Sequence, residues 1–180
     1  MLVVVSAIGP PRLWSFACTT LLNAVRKHCL LAPTEDADAL ARVLSVAHQA
    51  LGARSDLLIE RTLPDAALLL AILDGDKVHC ASAGSSRLYV HRNGESHRLT
   101  PRDADGSLLD GARVTVSMAI EPGDLVMAGS SSAFSDRAVN RIVSTLQTDP
   151  STPVTVLAAL LTEPAAQGGV GAAAIVARVR

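Results

Sequence analysis

The chain has 180 residues, a formal net charge of −1, and 49% apolar but only 2% aromatic residues. That length suits one domain spanning residues 1–180, with a core built from Ala, Val and Leu. Acids and bases are mixed along it, without the basic face that nucleic acid or an anionic membrane requires of a principal partner.

The opening "MLVVVS" is a β-branched run ended by the turn signal "AIGPP", and it reads as a buried strand. No basic segment precedes it, and it falls far short of the roughly 20 apolar residues that span a bilayer, so a soluble, cytoplasmic protein is expected. A helix is expected over residues 13–31. A second follows with Thr34 as its cap, Glu35 and Asp36 at its positive end, and Ala37, Leu40, Ala41, Leu44, Ala47 and Leu51 on one face.

From Ala66 the period changes. "AALLLAIL" and "KVHCASA" flank Asp74-Gly75 as a hairpin, and "RLYVHR" and "ESHRLT" flank Asn93-Gly94 as another. "ARVTVSMAI" and "DLVMAG" flank Glu121-Pro122-Gly123 and read as a third pair. Helices are expected from Asp136 to Gln147 and from Pro153 to Leu161, the latter capped by Ser151, before the closing strand "AAAIVARV". Strands and helices come in runs, which indicates an α+β layered domain with mainly antiparallel sheet. "PRDADGSLLDG" is the expected mobile loop.

Few residues offer chemistry. Cys18, Cys29 and Cys80 are odd in number and widely spaced, which gives no zinc pattern and reads as three buried thiols. Ser130, Ser131 and Ser132 follow an apolar strand, but a nucleophile needs a base, and no spacing pairs them with His28, His48, His79, His91 or His97. "GGVG" at 168–171 lacks a phosphate-loop lysine and precedes a strand, so it reads as a turn. Asp103, Asp105 and Asp110 lack the rest of a calcium-loop pattern and read as solvated. Asp124 reads as a turn residue, and Arg87 as a strand arginine paired with a nearby acid.

"CASAGSSRLYVHRNGESHRLTPRD" resembles the "GDSR" stretch of the metal-dependent PPM-type (type 2C) serine/threonine protein phosphatases, with Gly84, Ser85, Ser86 and Arg87 at the motif. "VVVSAIGPPRLWSFAC" is similar to that family's "DG" segment, "EPGDLVMAGSSSAFSD" to its "SDG" segment and "GGVGAAAIVARVR" to its closing "DN" segment. The resemblance implies a trimmed β-sandwich of two mainly antiparallel sheets flanked by helix pairs. The chain opens at the family's "DG" strand, so the N-terminal strands that normally precede it are not part of the match.

The family binds two divalent cations through carboxylates of those motifs, and the matching positions here are Ser6-Ala7, Ser131-Ser132 and Val170-Gly171. Hard divalent ions need oxygen ligands with several carboxylates among them. The resemblance therefore implies no metal, no cofactor and no catalytic residues: a pseudophosphatase that binds another protein as a regulatory or scaffold domain. The alternative is a reduced but active serine/threonine protein phosphatase with atypical ligands, including the type that regulates sporulation and sigma factors. A sandwich short of edge strands exposes unpaired backbone, and homodimerisation is one way to cover it.

Overall fold

The computed structural model describes residues 1–58, 64–102 and 106–180. In chain order the elements are β1 (Leu2–Ile8), α1 (Trp14–Leu31), α2 (Ala37–Ser55), β2 (Asp65–Asp74), β3 (Lys77–Ala83), β4 (Arg87–Arg92), β5 (Glu95–Arg98), β6 (Arg113–Ala119), β7 (Leu125–Gly129), α3 (Asp136–Thr148), α4 (Val154–Gln167) and β8 (Ala174–Arg178). One sheet has the order β1-β2-β3-β6 and the other β5-β4-β7-β8. Every pairing among the described residues is antiparallel.

The domain is layered as helices, sheet, sheet, helices. β2 shows why its sequence reads as one apolar run. Leu68, Leu70 and Ile72 face α1 and α2, where they meet Leu21, Val25, Leu40, Leu44 and Leu51. Leu69 and Ala71, on the opposite face, join Val4, Leu88, Val90, Val126 and Ala128 between the sheets. Both faces of the strand are covered, so polar alternation has no place in it. Each such leucine contributes about 1.5–3 kcal/mol by leaving water. A third cluster packs α3 and α4 on the second sheet through Leu125, Met127, Phe134, Ile142, Leu157 and Leu161. The Tyr89 ring stacks on Phe134 at 4.9 Å.

The α+β antiparallel sandwich and its element order agree with the sequence reading, and several local expectations change. Asp36, not Thr34, caps α2, accepting from the Ala39 N–H at 2.6 Å. The Thr34 hydroxyl turns instead to the Cys29 sulfur and the Ala32 carbonyl. α4 has no side-chain cap at its N-terminus and runs on through Pro164 to Gln167. Proline there forfeits its own N–H bond, yet the helix continues and Ala165 still packs inward. Of the cysteines only Cys80 is fully buried, and burial pushes its thiol up to about 12.

The third strand pair is absent. β6 pairs with β3 and β7 pairs with β4, so the turn between them carries the chain from one sheet to the other. The turn's partners explain this. The Ile120 N–H donates to the Asp76 carbonyl of the first sheet, while the Gly123 N–H donates to Val179 and the Val179 N–H to Asp124 beside the second. The expected mobile loop is anchored where it is described: Leu108 is fully buried and its N–H donates to the Ala66 carbonyl at 2.7 Å. Asp103 and Asp105 lie outside the described residues. No helix of the described residues is long and apolar enough to cross a membrane.

Candidate functional site

Strand register places the residues singled out in the sequence at one end of the sandwich. Ser6 and Ala7 lie near the end of β1, opposite Ala67 and Ala66. Gly84 presses on that same Ala67: a Cβ built on Gly84 would lie 2.9 Å from the Ala67 Cβ, and the φ of +82° suits glycine alone. Residues 84–86 cross to the second sheet, where Arg87 opposes Gly129, and Gly129 opposes Ala174. Gly129 leads into Ser130, Ser131 and Ser132, and the chain before Ala174 carries Val170 and Gly171. Four segments far apart in sequence thus share one rim.

What fills that rim is a relay of hydroxyls. The Ala173 N–H donates to Ser130 Oγ at 3.1 Å. Ser130 Oγ lies 2.9 Å from Ser132 Oγ. Ser132 Oγ donates to the Gly171 carbonyl at 2.7 Å. A hydroxyl has one proton, and that of Ser132 goes to Gly171, so Ser130 donates to Ser132 and the relay runs one way. The Ser130 N–H adds a bond to the Ala173 carbonyl. These serines lace the loop after β7 to the loop before β8. Ser131 has no partner in the relay.

"GGVG" is a helix terminator. The Gly169 N–H donates to the Ala166 carbonyl and the Val170 N–H to the Ala165 carbonyl, with Gly169 at φ +70°, the pair of hydrogen bonds that closes a helix through a left-handed residue. Val170 occupies the position whose apolar side chain accompanies that cap, and it lines a small cleft with Pro164 and Ala165.

Arg87 does not find an acid among the described residues. Its Nη1 donates to the Phe134 carbonyl, and its Nε is buried without a partner, as is the hydroxyl of Ser86. The side chain fastens β4 to the turn after the serines.

Asp124 stands at the other end. Leu125 to Ser130 spans the five residues of β7 and one more, five steps or about 17 Å along a strand. Asp124 is 4% exposed; Arg92 grips both carboxylate oxygens, at 2.6 and 3.0 Å, and the Glu121 N–H donates to it at 2.8 Å. Burial pushes its pKa up, but the Arg92 and Glu121 hydrogen bonds and the nearby positive charge outweigh that and hold it below the usual value. This is a structural carboxylate, as the turn reading had it. His91 lies at the same end, bonded to Ser96 at 2.9 Å, and burial together with His97 holds it below its ordinary value against the pull of Asp124. His79 bonds Ser117 on β6. Among the described residues no histidine bonds the serines, and no group of three His, Cys, Asp or Glu side chains stands ready for a metal ion.

No protein-family model and no curated protein sequence matches the chain. Solved structures do. The Mycobacterium tuberculosis serine/threonine phosphatase PstP/Ppp superposes with a TM-score of 0.80 at 18% identity, over 98% of this chain and 86% of that one. The PPM Ser-Thr phosphatase MsPP from Mycobacterium smegmatis gives 0.71 at 20%, over 98% and 86%. The S. agalactiae serine/threonine phosphatase gives 0.74 at 16%, again over 98% and 86%. Two antiparallel sheets between helix pairs, with a shared rim built from the ends of β1, β4, β7 and β8, are in this chain the trimmed fold of the PPM-type serine/threonine phosphatases.

Proposed function

We propose that this domain is a catalytically inactive PPM-like pseudophosphatase that acts by binding another protein. The observation that carries the reading is the chemistry of the shared rim. A pair of divalent ions calls for several carboxylates. Ser6, Ser131, Ser132, Val170 and Gly171 supply none, and the hydroxyl of Ser132 and the carbonyl of Gly171 already bond each other. These residues do not fit a two-metal centre. Asp124 is at the far end and spent on Arg92. Serine nucleophilicity fares no better, because among the described residues no histidine bonds Ser130 or Ser132 as the base such a hydroxyl needs.

The described strands and helices close three apolar cores, and a folded domain without a reactive site works through its surface. The test is to incubate pure protein with p-nitrophenyl phosphate and phosphopeptides in the presence of Mn²⁺. No turnover and no divalent-ion isotherm by calorimetry are expected. Activity that persists through purification and disappears in Ser131→Ala would establish the alternative, a reduced but active phosphatase. The combined change Ser6→Asp, Ala7→Gly, Ser131→Asp and Val170→Asp is expected to introduce Mn²⁺ binding and a metal-dependent rise in Tm.

A further inference from the structure

The described residues leave four strands at sheet edges: β1, β6, β5 and β8. An edge presents unpaired N–H and C=O groups and is normally blunted by shortness or charge. β5 has four residues and reads Glu-Ser-His-Arg. β6 begins at Arg113 and alternates with Thr115 and Ser117. β8 has five residues and ends at Arg178. β1 has none of these guards. It is seven residues, Leu-Val-Val-Val-Ser-Ala-Ile, with no charge, proline or glycine. The next strand, β2, is fully buried from Ala66 to Ile72, whereas Val3, Val5 and Ala7 are only half-buried.

The flank of that edge is mainly apolar. Met1 and Val3 line a groove of about 370 Å³ with Leu22, Val25, Cys29 and Leu30 of α1, and Arg26 is its one charged residue. Leu22, Leu30 and Met1 are 47%, 76% and 53% exposed.

We propose that this face is the interface of a homodimer, in which β1 pairs antiparallel with β1 of a second copy about a two-fold axis and the α1 helices pack beside the seam. An uncharged strand is its own complement in this arrangement, since a two-fold axis presents the same patch to itself. The net charge of −1 opposes association little. The strand is about 23 Å long, and strand plus helix is about 20–25 Å deep, so the seam buries on the order of 1,000 Å² in total, the level a specific interface must reach. The pairing is independent of whether the domain turns over a substrate.

Sedimentation equilibrium of the pure chain tests this. A dimer is expected at about 100 µM protein. Leu22→Glu with Leu30→Glu, both at exposed positions, is expected to weaken dimerisation at least tenfold, while Leu57→Glu, 80% exposed and outside the seam, leaves it unchanged. Amides of β1 are expected to exchange more slowly as protein concentration rises. A monomer at 100 µM overturns the proposal, as does a dimer indifferent to the double change, an open-ended assembly, or a β1 whose exchange does not follow concentration.

Discussion

Arg92 and Asp124 are joined by a two-pronged ion pair of 2.6 and 3.0 Å that locks the passage between the two sheets. Asp124→Ala removes the acceptor of both the guanidinium and the Glu121 N–H. A loss of about 2 kcal/mol is expected, in the range for hydrogen bonds to charged groups. Asp124→Asn retains an acceptor for Glu121 and is expected to lose less. Chemical denaturation of the three proteins measures the order.

Stability is expected to fall in two steps on acidification. His91 is held below its ordinary value in the folded state, by burial first and then by His97. The unfolded chain therefore takes up that proton first, and stability present above about pH 6.5 declines as pH falls through the folded value. Asp124 is also depressed, so its share persists above the ordinary carboxylate range and is lost as pH falls further. His91→Gln is expected to flatten the first step in a Tm series from pH 8 to pH 2 and to leave the second. A first step that survives His91→Gln would assign it elsewhere.

The three serines are expected to respond unequally. Ser130→Ala strands the Ala173 N–H and interrupts the relay to Ser132, costing about 1–2 kcal/mol. Ser131→Ala removes a hydroxyl outside the relay and is expected to fall within about 0.5 kcal/mol of the parent. Equal effects in urea unfolding would mean that the relay does not hold the rim.

Two glycine-to-alanine changes should have opposite signs. A Cβ on Gly129 would lie 2.5 Å from the Ala173 carbonyl oxygen and 2.9 Å from the Phe134 ring. Gly129→Ala is expected to destabilise by about 1–3 kcal/mol or more, as overpacking does. Gly52 is inside α2 with nothing within 4 Å of such a Cβ, and Gly52→Ala is expected to gain about 0.5–1 kcal/mol. Thermal melts of both report the contrast directly.

Legibility in the sequence followed how local each determinant was. Asn93-Gly94 announced its hairpin because that turn needs two residues at positive φ, here +51° and +84°. "GGVG" was readable as a turn from its missing lysine and the strand after it, and its Gly169 is at φ +70°. Glu121-Pro122-Gly123 looked like another hairpin, but its destination is decided by bonds to Asp76 and Val179, which no local pattern contains. The end of α4 was misplaced because Pro164 is a strong local stop that Ala165 packing and the glycine cap override. At the rim, the lack of carboxylates at Ser6-Ala7, Ser131-Ser132 and Val170-Gly171 was visible in the residues themselves. The relay from Ala173 through Ser130 and Ser132 to Gly171 was not, because it joins positions about forty residues apart.

The crossing between β6 and β7 bears on how the domain comes apart. β3 and β6 are neighbours in the first sheet, yet the β4–β5 hairpin between them in the chain belongs to the second. β7 then returns to the second sheet after β6 has completed the first. Neither sheet is a contiguous stretch of chain, so no single cut separates one sheet from the other, and any piece that holds one whole sheet also carries strands of its neighbour. Folding and unfolding are therefore expected as one cooperative event, with probes at Trp14 beside the first sheet and Tyr89 in the second reporting the same transition. Interleaving of this kind also makes the contacts long-range, and closure of the sandwich correspondingly slow.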